Sequence, residues 1–289
     1  IGVRLVGSEM CIRDRSNDFT KYGHKKDGTQ RYICKECGKR FTALTNTIFD
    51  SKKIPISEWI EYLLHLFEFH SINSTAYDNR NSPTTGKYWL IKTFEVLKGI
   101  QNDVVLDGTV YLDETYFTKV RSKLVTKDGK KLRGISRDKI GVGVACNETK
   151  SIFIVTGTSK PSRKSTKETY SQHIARGSVL VHDDEHSHSI LIEELELESI
   201  VYPTAETKEL SNKDNPLYPV NNLHLLLKQF IRNHGAYDRE HLQDWLNLFW
   251  FIMNEPKDKY DKVLKFIEMA VLSPKKVRYR DAMSSKHSK

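Results

Sequence analysis

The chain has 289 residues, and its 46 Lys and Arg against 37 Asp and Glu give a formal charge of +9. Twelve Phe, 13 Tyr and 4 Trp argue against disorder, and the length suffices for one large domain or two to three small ones. The longest strongly apolar run, residues 245–253, is too short to span a bilayer. Four cysteines do not make a disulfide scaffold in so long a chain. Membrane, collagen-like and disulfide-miniprotein classes are therefore excluded, and a reduced intracellular compartment is favoured.

The charge is distributed unevenly along the chain. Residues 166–215 hold 11 acids against 4 bases, whereas the segments on either side are basic, and residues 119–139 alone carry nine bases and two acids. This pattern indicates a polyanionic partner for the basic segments and a metal ion for the acidic one. Many proteins of this charge bind no nucleic acid, so charge alone leaves a simple solvated surface open.

A cysteine pair marks the first structured segment. Residues 23–41 are rich in Gly, Lys and turn formers, and Tyr32 and Phe41 flank the pair Cys34-x-x-Cys37. We expect short strands joined by a turn at the cysteines. A structural Zn²⁺ ion takes four nitrogen or sulfur ligands, so this pair supplies half of such a site.

Three short helices are predicted next. Residues 57–69 carry apolar side chains at helical spacing behind Ser57 as the predicted N-cap, residues 71–76 begin a second helix, and residues 84–97 form a third. Asn-Ser-Pro at residues 81–83 breaks the second helix. This outline is that of a helix-turn-helix, although any small helical bundle has a similar one.

Beyond residue 102 the hydrophobic period changes to that of strands. The predicted strands are residues 110–117, 140–146, 152–156, 179–181 and 200–202, with a hairpin turn at 147–150. The predicted helices are residues 166–175, 185–195 and 220–251, the last interrupted near 234–235. The pattern predicts an α/β fold in which helices cover a mixed sheet.

Two aspartates follow apolar strands, Asp113 after residues 110–112 and Asp183 after residues 179–182. Carboxylates at the ends of neighbouring strands can converge, and hard divalent cations prefer oxygen ligands. Two Mg²⁺ ions held in this way would activate an attacking oxygen and stabilise the leaving one in phosphoryl transfer. The alternative is that both acids simply cap turns.

A polar stripe lies on the helix after Pro219. Asn221, His224 and Lys228 are spaced i, i+3 and i+7 and share one face, where they could complete a metal site and contact a phosphate. Leu223, Leu226 and Leu227 are then expected to pack inward, and an ordinary surface stripe is the alternative. The His-rich run at residues 182–188 also permits zinc, but consecutive residues on a strand end are expected to point apart.

These motifs together resemble the zinc-ribbon, ISXO-like insertion-sequence transposases, over about residues 22–279. The residues that carry the resemblance are Gln30 to Phe41 with the cysteine pair, Leu112-Asp113-Glu114-Thr115-Tyr116-Phe117, His182-Asp183-x-Glu185, Pro219-Val220-Asn221 with Lys228 seven residues on, and the helical region between Tyr237-Asp238 and Asn254-Glu255-Pro256.

The resemblance implies a ribonuclease-H-like catalytic domain that cleaves DNA at the ends of a bacterial mobile element and joins them to target DNA. Asp113 and Asp183 match the first two metal-binding positions, and Asn221 with Lys228 matches a family branch that has Asn in the third position. Mg²⁺ or Mn²⁺ would be the cofactor. Lys228 is expected to hold DNA, whereas Glu114, Glu185 and His224 would support the site or serve as spare ligands.

The resemblance also implies partners and a location. Terminal inverted repeats and target DNA are the expected partners, a homo-oligomer that pairs two ends is the expected assembly, and the cytoplasmic nucleoid is the expected location. No membrane partner is expected.

The chain departs from this family at its N-terminus. The expected first Cys-x-x-Cys is absent, and residues 9–14 (Glu-Met-Cys-Ile-Arg-Asp) back-translate to GAG-ATG-TGT-ATA-AGA-GAC, which looks like a sequencing-adapter transposon end. We therefore expect residues 1–15 to be non-native and the native chain to be truncated. Cys34 and Cys37 would then be an incomplete zinc site, filled only in the full-length native protein.

The predicted organisation has five parts: the adapter-derived segment 1–15, a partial zinc ribbon at 16–50, a helix-turn-helix-like segment at 51–102, the ribonuclease-H-like catalytic domain at 103–256, and a basic helical tail at 257–289. The leading hypothesis is a DDE-type transposase. A catalytically silent, transposase-derived DNA-binding protein and a ribonuclease-H-like structure-specific nuclease stay open as alternatives.

Overall fold

The computed structural model describes residues 18–50, 54–119, 125–126, 128–130, 134–234, 241–254, 256–273 and 275–284. The chain divides into two compact units, one formed by Ile1–Val96 with Pro256–Lys289 and the other by Leu97–Glu255. The expected adapter-derived segment 1–15 lies outside the described residues, as do Tyr237, Asp238 and parts of the basic segment 119–139.

The strands and helices have the following bounds along the chain. The strands are β1 Phe19–His24, β2 Gln30–Cys34, β3 Arg40–Phe41, β4 Thr109–Thr118, β5 Lys139–Cys146, β6 Ser151–Thr158, β7 Val179–His182 and β8 Glu198–Val201. The helices are α1 Ile56–Phe67, α2 Ile72–Asp78, α3 Pro83–Leu97, α4 Arg163–Tyr170, α5 Ser189–Leu195, α6 Thr204–Thr207, α7 Tyr218–Asn233, α8 Leu242–Met253, α9 Lys259–Leu272 and α10 Tyr279–Ala282, with a 3-10 turn His186–His188 before α5. None of the described helices is both long and apolar enough to cross a membrane.

The first three strands of the smaller unit form an antiparallel sheet in the order β1-β2-β3. Its core is a small cluster of Tyr32, Cys34 and Phe41, against which Phe19 packs with its ring edge toward Tyr32 at 5.3 Å. Such a small aromatic core buries little apolar area by itself, because small units bury a smaller share of their surface.

The helices of the smaller unit pack through aromatic side chains. Trp59 of α1 stacks on Trp89 of α3 with ring centroids 4.4 Å apart, and the Tyr62 hydroxyl donates to the Gly86 carbonyl at 3.0 Å. Phe67 of α1 meets Phe266 of α9 edge-on. An aromatic pair of this kind contributes about 0.5–1.5 kcal/mol beyond its buried area.

Two boundaries differ from the sequence-based predictions, and each has a local cause. Helix α1 begins at Ile56, because Pro55 occupies the extended N-cap position; Ser57, the predicted cap, lies inside the first turn. Helix α4 ends at Tyr170 instead of residue 175, because Leu106 forms backbone hydrogen bonds with His173 and Ala175 and holds that segment outside the helix.

The larger unit contains a five-stranded mixed sheet in the order β6-β5-β4-β7-β8. Strands β4, β5 and β6 are antiparallel neighbours, whereas β7 and β8 run parallel to β4. Tyr170 of α4 and Leu191 of α5 join the core on one face, and α7 and α8 pack against the other face. A mixed sheet flanked by helices is what the ribonuclease-H-like expectation requires, so the predicted fold class is confirmed.

Helix α7 buries only one of the three leucines that we predicted to pack inward. Its buried side chains include Val220, His224, Leu227 and Ile231, at spacings of four, three and four residues. Leu223 and Leu226 are only partly buried, and His224, assigned to the polar stripe, belongs to the buried face. The inward packing predicted for Leu223 and Leu226 was therefore wrong, whereas Leu227 is buried as predicted. His224 lies beside Asp113, where the polar stripe was expected to reach the site.

Helix α3 carries a buried lysine in the core of the smaller unit. The Lys92 side chain donates from Nζ to the Ile48 carbonyl at 2.5 Å and lies 4.4 Å from the centre of the Tyr88 ring. Burial lowers the pKa of Lys92 to about 8, with Asp50 and Lys276 acting in opposite directions. An ordinary lysine has a pKa of 10.5, so the folded state binds this proton less tightly than the unfolded state does.

We therefore predict that Lys92 makes stability rise with pH. Between about pH 8 and pH 10.5 the unfolded chain keeps a proton that the folded chain has lost, so the free energy of unfolding should increase by up to about 3 kcal/mol. Urea unfolding at several pH values measures this slope. Lys92→Met should remove it and the exposed Lys21→Met should keep it; an unchanged slope in Lys92→Met would contradict the assignment.

Candidate active site

The parallel pairing of β4 and β7 brings two aspartates together. Leu112 pairs with His182, so the next residues along the two strands are Asp113 and Asp183. Strand β7 ends at His182, whereas β4 continues to Thr118 beside β5, so Asp113 lies within its strand and not at the strand end as expected. From Asp113 onward, the β7 side of β4 is open.

A cavity of about 330 Å³ opens at this point, and Asp113, Asp183 and Asn221 of α7 line it. The remaining wall comes from Thr204, Thr207, Lys208, Leu210, Asn212, Asn215 and Leu217. Three of the four predicted catalytic residues therefore border one cavity. The fourth, Lys228, is exposed on α7 seven residues beyond Asn221.

The two carboxylates are crowded. Burial raises the pKa of Asp113, and the neighbouring charges of Asp183 and Glu114 raise it further, to about 7. Burial likewise raises the pKa of Asp183. Each carboxylate accepts one backbone N–H bond at Oδ1, from Glu114 at 2.7 Å and from Glu185 at 3.1 Å.

This donor set fits a divalent cation with a preference for oxygen. Two aspartates and an amide side chain face the same cavity, and the repulsion between the carboxylates is a cost that a cation would remove. Mg²⁺ and Mn²⁺ are ions that such oxygen ligands suit. The residues able to hold them are Asp113, Asp183 and Asn221.

Glu114 lies on the opposite face of β4 from Asp113, as the alternation of a strand requires. Its side chain is 4% exposed and accepts a hydrogen bond from the Tyr170 hydroxyl at 2.8 Å. The fully buried His188 ring places Nε2 3.4 Å from the same carboxylate. Glu114 therefore lies behind the sheet and does not line the cavity.

His188 links this buried pair to the cavity. Its Nδ1 lies 3.8 Å from Asp183 Oδ1 and 3.1 Å from His182 Nδ1. Burial acts to lower the pKa of His188, but the hydrogen bond and charge of Glu114 outweigh it and raise the pKa. Burial and the neighbouring His188 lower the pKa of His182 to about 4, so charge in this ring pair is concentrated on His188.

The His-rich run behaves differently from the expectation that its residues point apart. The ligand atoms of His182, Asp183 and His188 lie within 4.8 Å of one another, because the 3-10 turn folds His188 back over the strand end. His186 is exposed and does not join them. No sequence signal marked Tyr170 as a partner of Glu114, and only the His-rich composition pointed to His188.

Two further expected residues have clear positions. Glu185 forms an ion pair with Lys160 at 2.7 Å, and its contribution to Asp183 is the backbone N–H bond. His224 is buried with Nδ1 3.6 Å from Asp113 Oδ2, and its Nε2 has no hydrogen-bond partner among the described residues. Burial and the charge of Lys228 lower the pKa of His224 to about 3, so this ring is neutral.

The predicted zinc ligands lie in the smaller unit. Cys34 is buried, and the Cys37 backbone N–H donates to its sulfur at 3.5 Å, which is the turn expected for a Cys-x-x-Cys pair. In the part of the chain that the structure describes, no cluster of three potential metal ligands contains these cysteines. Zinc binding at Cys34 and Cys37 stays a prediction.

The comparisons with known proteins give similarity to transposase and intasome structures. No protein-family model matches the sequence, and no curated protein matches it. The Mos1 strand transfer complex is similar at 15% identity over 82% of this chain and 79% of that one, with a TM-score of 0.33. A pre-cleavage Mos1 transpososome gives 13% identity, 83% and 81% coverage and a TM-score of 0.30. The simian T-cell lymphotropic virus intasome with a PP2A regulatory subunit gives 8% identity, 65% and 67% coverage and 0.32. The fold assignment rests on the strand order and directions and not on these superpositions.

Strand β5 approaches helix α4 closely beside the buried hydrogen bond between Tyr170 and Glu114. A Cβ atom on Gly143 would lie 2.1 Å from the Tyr170 hydroxyl, so only glycine leaves room for the bond from Tyr170 to Glu114. We predict that Gly143→Ala lowers the free energy of unfolding by about 1–3 kcal/mol through overpacking. Chemical denaturation measures this loss.

Gly141→Ala is the matched control for Gly143→Ala. It lies two residues away on β5, and its added Cβ would meet Thr156 Oγ1 at 2.5 Å, a small group at the end of a side chain. The loss of stability should be smaller for Gly141→Ala than for Gly143→Ala. The loss that Gly143→Ala causes should also be smaller in a Tyr170→Phe background than in the wild-type background. Equal losses at both glycines would contradict the role given to Tyr170.

Proposed function

We propose that the chain catalyses metal-dependent phosphoryl transfer on DNA, as a transposase that cleaves strands at the ends of a mobile element and transfers them to target DNA. The single observation that carries the proposal is the pair of aspartates, Asp113 on β4 and Asp183 directly after the neighbouring β7, that line one open cavity. Asn221 supplies a third oxygen ligand from α7 in this proposal.

The cofactor in this proposal is Mg²⁺ or Mn²⁺. When bound by Asp113, Asp183 and the amide oxygen of Asn221, such ions supply an activated attacking oxygen and neutralise the charge of the leaving one. The protein supplies positioning and electrostatics, which are the main contributions that phosphoryl transfer needs.

The side chains around the aspartates have distinct tasks in the proposed reaction. The backbone N–H groups of Glu114 and Glu185 fix Oδ1 of each aspartate and leave Oδ2 for the ion. The neutral His224 ring covers Asp113 and excludes water from that side. Lys208 at the cavity and Lys228 on α7 offer cations to the phosphate backbone of a DNA strand.

A polyanionic substrate is favoured over a small phosphate ester by charge outside the cavity. The β1–β3 sheet carries exposed cations, and Arg40 lies over the Tyr22 ring at 4.4 Å while donating to its hydroxyl at 2.8 Å. Lys21 and Arg40 lie in the strands and Lys25, Lys26 and Lys39 in the connecting turns, whereas Lys35 pairs with Asp18. Exposed cations spread over a small sheet and its turns suit contacts with phosphates. Such phosphate contacts supply much of the affinity of proteins for DNA.

The finer assignment follows the sequence motifs. Membership of the zinc-ribbon, ISXO-like transposases, a zinc ion bound by the full-length native chain, binding to terminal inverted repeats and an oligomer that pairs two element ends are parts of this proposal. Asn in the third position is the feature that a catalytically silent relative would share, so activity needs a direct test.

We predict that Asp183→Asn abolishes cleavage while DNA binding persists. The substrate is a labelled duplex that carries the repeats flanking the gene, incubated with the protein and Mg²⁺ or Mn²⁺, with nicking and joining followed on sequencing gels. Loss of a metal-binding carboxylate should lower the rate at least about a hundredfold. Asp184→Asn is the matched control, because Asp184 is the exposed neighbour of Asp183.

The same assay separates the alternatives. Wild-type protein that binds the repeats but never cuts them in either metal would favour the silent DNA-binding protein. Cleavage of branched or hybrid substrates without preference for the element ends would favour a structure-specific nuclease. Cleavage that Asp184→Asn abolishes as completely as Asp183→Asn would remove the special role of Asp183.

Asn221 generates a second prediction for this site. If its amide oxygen is a ligand, Asn221→Ala should raise the Mn²⁺ concentration for half-maximal cleavage about tenfold or more. Cleavage at saturating metal should change less. Asn222→Ala is the neighbouring control, since Asn222 does not line the cavity. A lower maximal rate with an unchanged metal requirement would show that Asn221 acts without binding the ion.

A further inference from the structure

Three potential metal ligands converge in the smaller unit. His65 lies near the end of α1, His70 in the turn that follows, and Asp78 at the end of α2. Their ligand atoms lie within 4.8 Å of one another. Both histidines direct Nδ1 at the same oxygen, Asp78 Oδ2, at 3.8 Å from His65 and 3.9 Å from His70.

Hydrogen bonding does not account for this convergence. Both nitrogen–oxygen distances exceed the range of a hydrogen bond. The Nδ1 atom of His65 is buried and has no hydrogen-bond partner in the part of the chain that the structure describes. Ligand atoms on a tetrahedral Zn²⁺ ion lie about 3.3 Å apart, given metal–ligand distances of about 2.0–2.1 Å. Closures of about half an ångström in the two nitrogen–oxygen distances, and of at most about 1.5 Å between the two nitrogens, would therefore make the three atoms a ligand set.

The backbone between the two helices holds the two histidine rings close together and nearly parallel. Phe69 has a left-handed φ of 65°, and the N–H groups of Phe69 and His70 donate to the carbonyls of Leu66 and His65 at 3.2 and 3.1 Å. This is the Schellman arrangement at a helix end, here formed with an aromatic residue where glycine is usual. The turn stacks the His65 and His70 rings at 5.1 Å with an interplanar angle of 18°.

The surroundings leave the set available to an ion. Ser74 Oγ donates to Asp78 Oδ2 at 3.4 Å, and the nearby Glu68 carboxylate pairs with Lys259 Nζ at 2.8 Å. Asp78 also borders an open depression of about 520 Å³ with Tyr77, Arg80 and Asn81, so an ion reaches it from solvent.

We propose that His65, His70 and Asp78 bind a divalent transition-metal ion, with Zn²⁺ as the best fit and water in the fourth position. Two imidazoles and one carboxylate suit zinc, whereas Mg²⁺ prefers oxygen ligands. The ion would join the ends of α1 and α2 across their turn. This site is independent of the phosphoryl-transfer proposal.

The test uses untagged full-length protein, with Co²⁺ as the spectroscopic probe and Zn²⁺ as the competitor. Millimolar Mg²⁺ is kept present to occupy the oxygen ligands around Asp113. Wild-type protein should bind one more equivalent of Co²⁺ than His70→Gln or Asp78→Asn, with visible absorption that Zn²⁺ abolishes. Each variant should weaken this binding at least about tenfold. Zn²⁺ should raise the melting temperature of wild-type protein more than that of either variant.

His241→Gln is the matched control, because His241 pairs with Asp244 at 3.8 Å in the other unit. It should bind Co²⁺ as wild-type protein does. His70 and Asp78 are each about 40% exposed, so their polar substitutions should leave the fold intact, and circular dichroism of the metal-free proteins checks this. Equal Co²⁺ stoichiometry and affinity in wild-type, His70→Gln and Asp78→Asn proteins would overturn the proposal, as would an equal loss in His241→Gln.

Discussion

The pairing of Leu112 with His182 in the parallel β4–β7 ladder decides where the charged residues of the larger unit lie. A shift of one residue would turn every side chain of β7 to the opposite face. In the observed register, β7 ends beside Leu112, so Asp113 and Asp183 face one opening where the sheet no longer fills the space. The strand order β5-β4-β7 therefore determines which acidic side chains lie close together, and the other site residues are arranged around these two aspartates.

The face of the sheet behind the aspartates carries a second set of charged groups. Strand alternation buries Glu114 directly after Asp113, and a buried carboxylate is costly unless it is paired. Tyr170 and His188 pair with it, and the raised pKa of His188 favours its positive form there. Gly143 is required because a larger residue would displace Tyr170. The His188 ring also lies 3.8 Å from Asp183, so the raised pKa of His188 favours positive charge close to the acids of the cavity.

Much of this fold is predictable from the sequence because strand and helix periods are local. The runs around β4, β5, β6 and β7 have the apolar, β-branched character of strands, and the hairpin at residues 147–150 has typical turn residues. Contacts between distant segments are not local, so Tyr170 could not be assigned to Glu114, nor Asp78 to the two histidines near the end of α1. The inward packing of Leu223 and Leu226 was predicted wrongly for a related reason, because polarity gives the chemistry of a side chain but not the face on which it packs.

The two metal hypotheses rest on one principle applied to different ligands. Burial and the charges of Asp183 and Glu114 raise the pKa of Asp113, and an oxygen-preferring cation would replace the proton that otherwise relieves the repulsion. At His65 and His70 the donors are imidazole nitrogens held by a strained turn, and the single carboxylate between them lies beyond hydrogen-bonding distance. Ligand type would then separate the ions: Mg²⁺ at the oxygen-rich cavity and Zn²⁺ at the nitrogen-rich turn. Two ions of different chemistry could thus occupy one chain without competing for the same ligands.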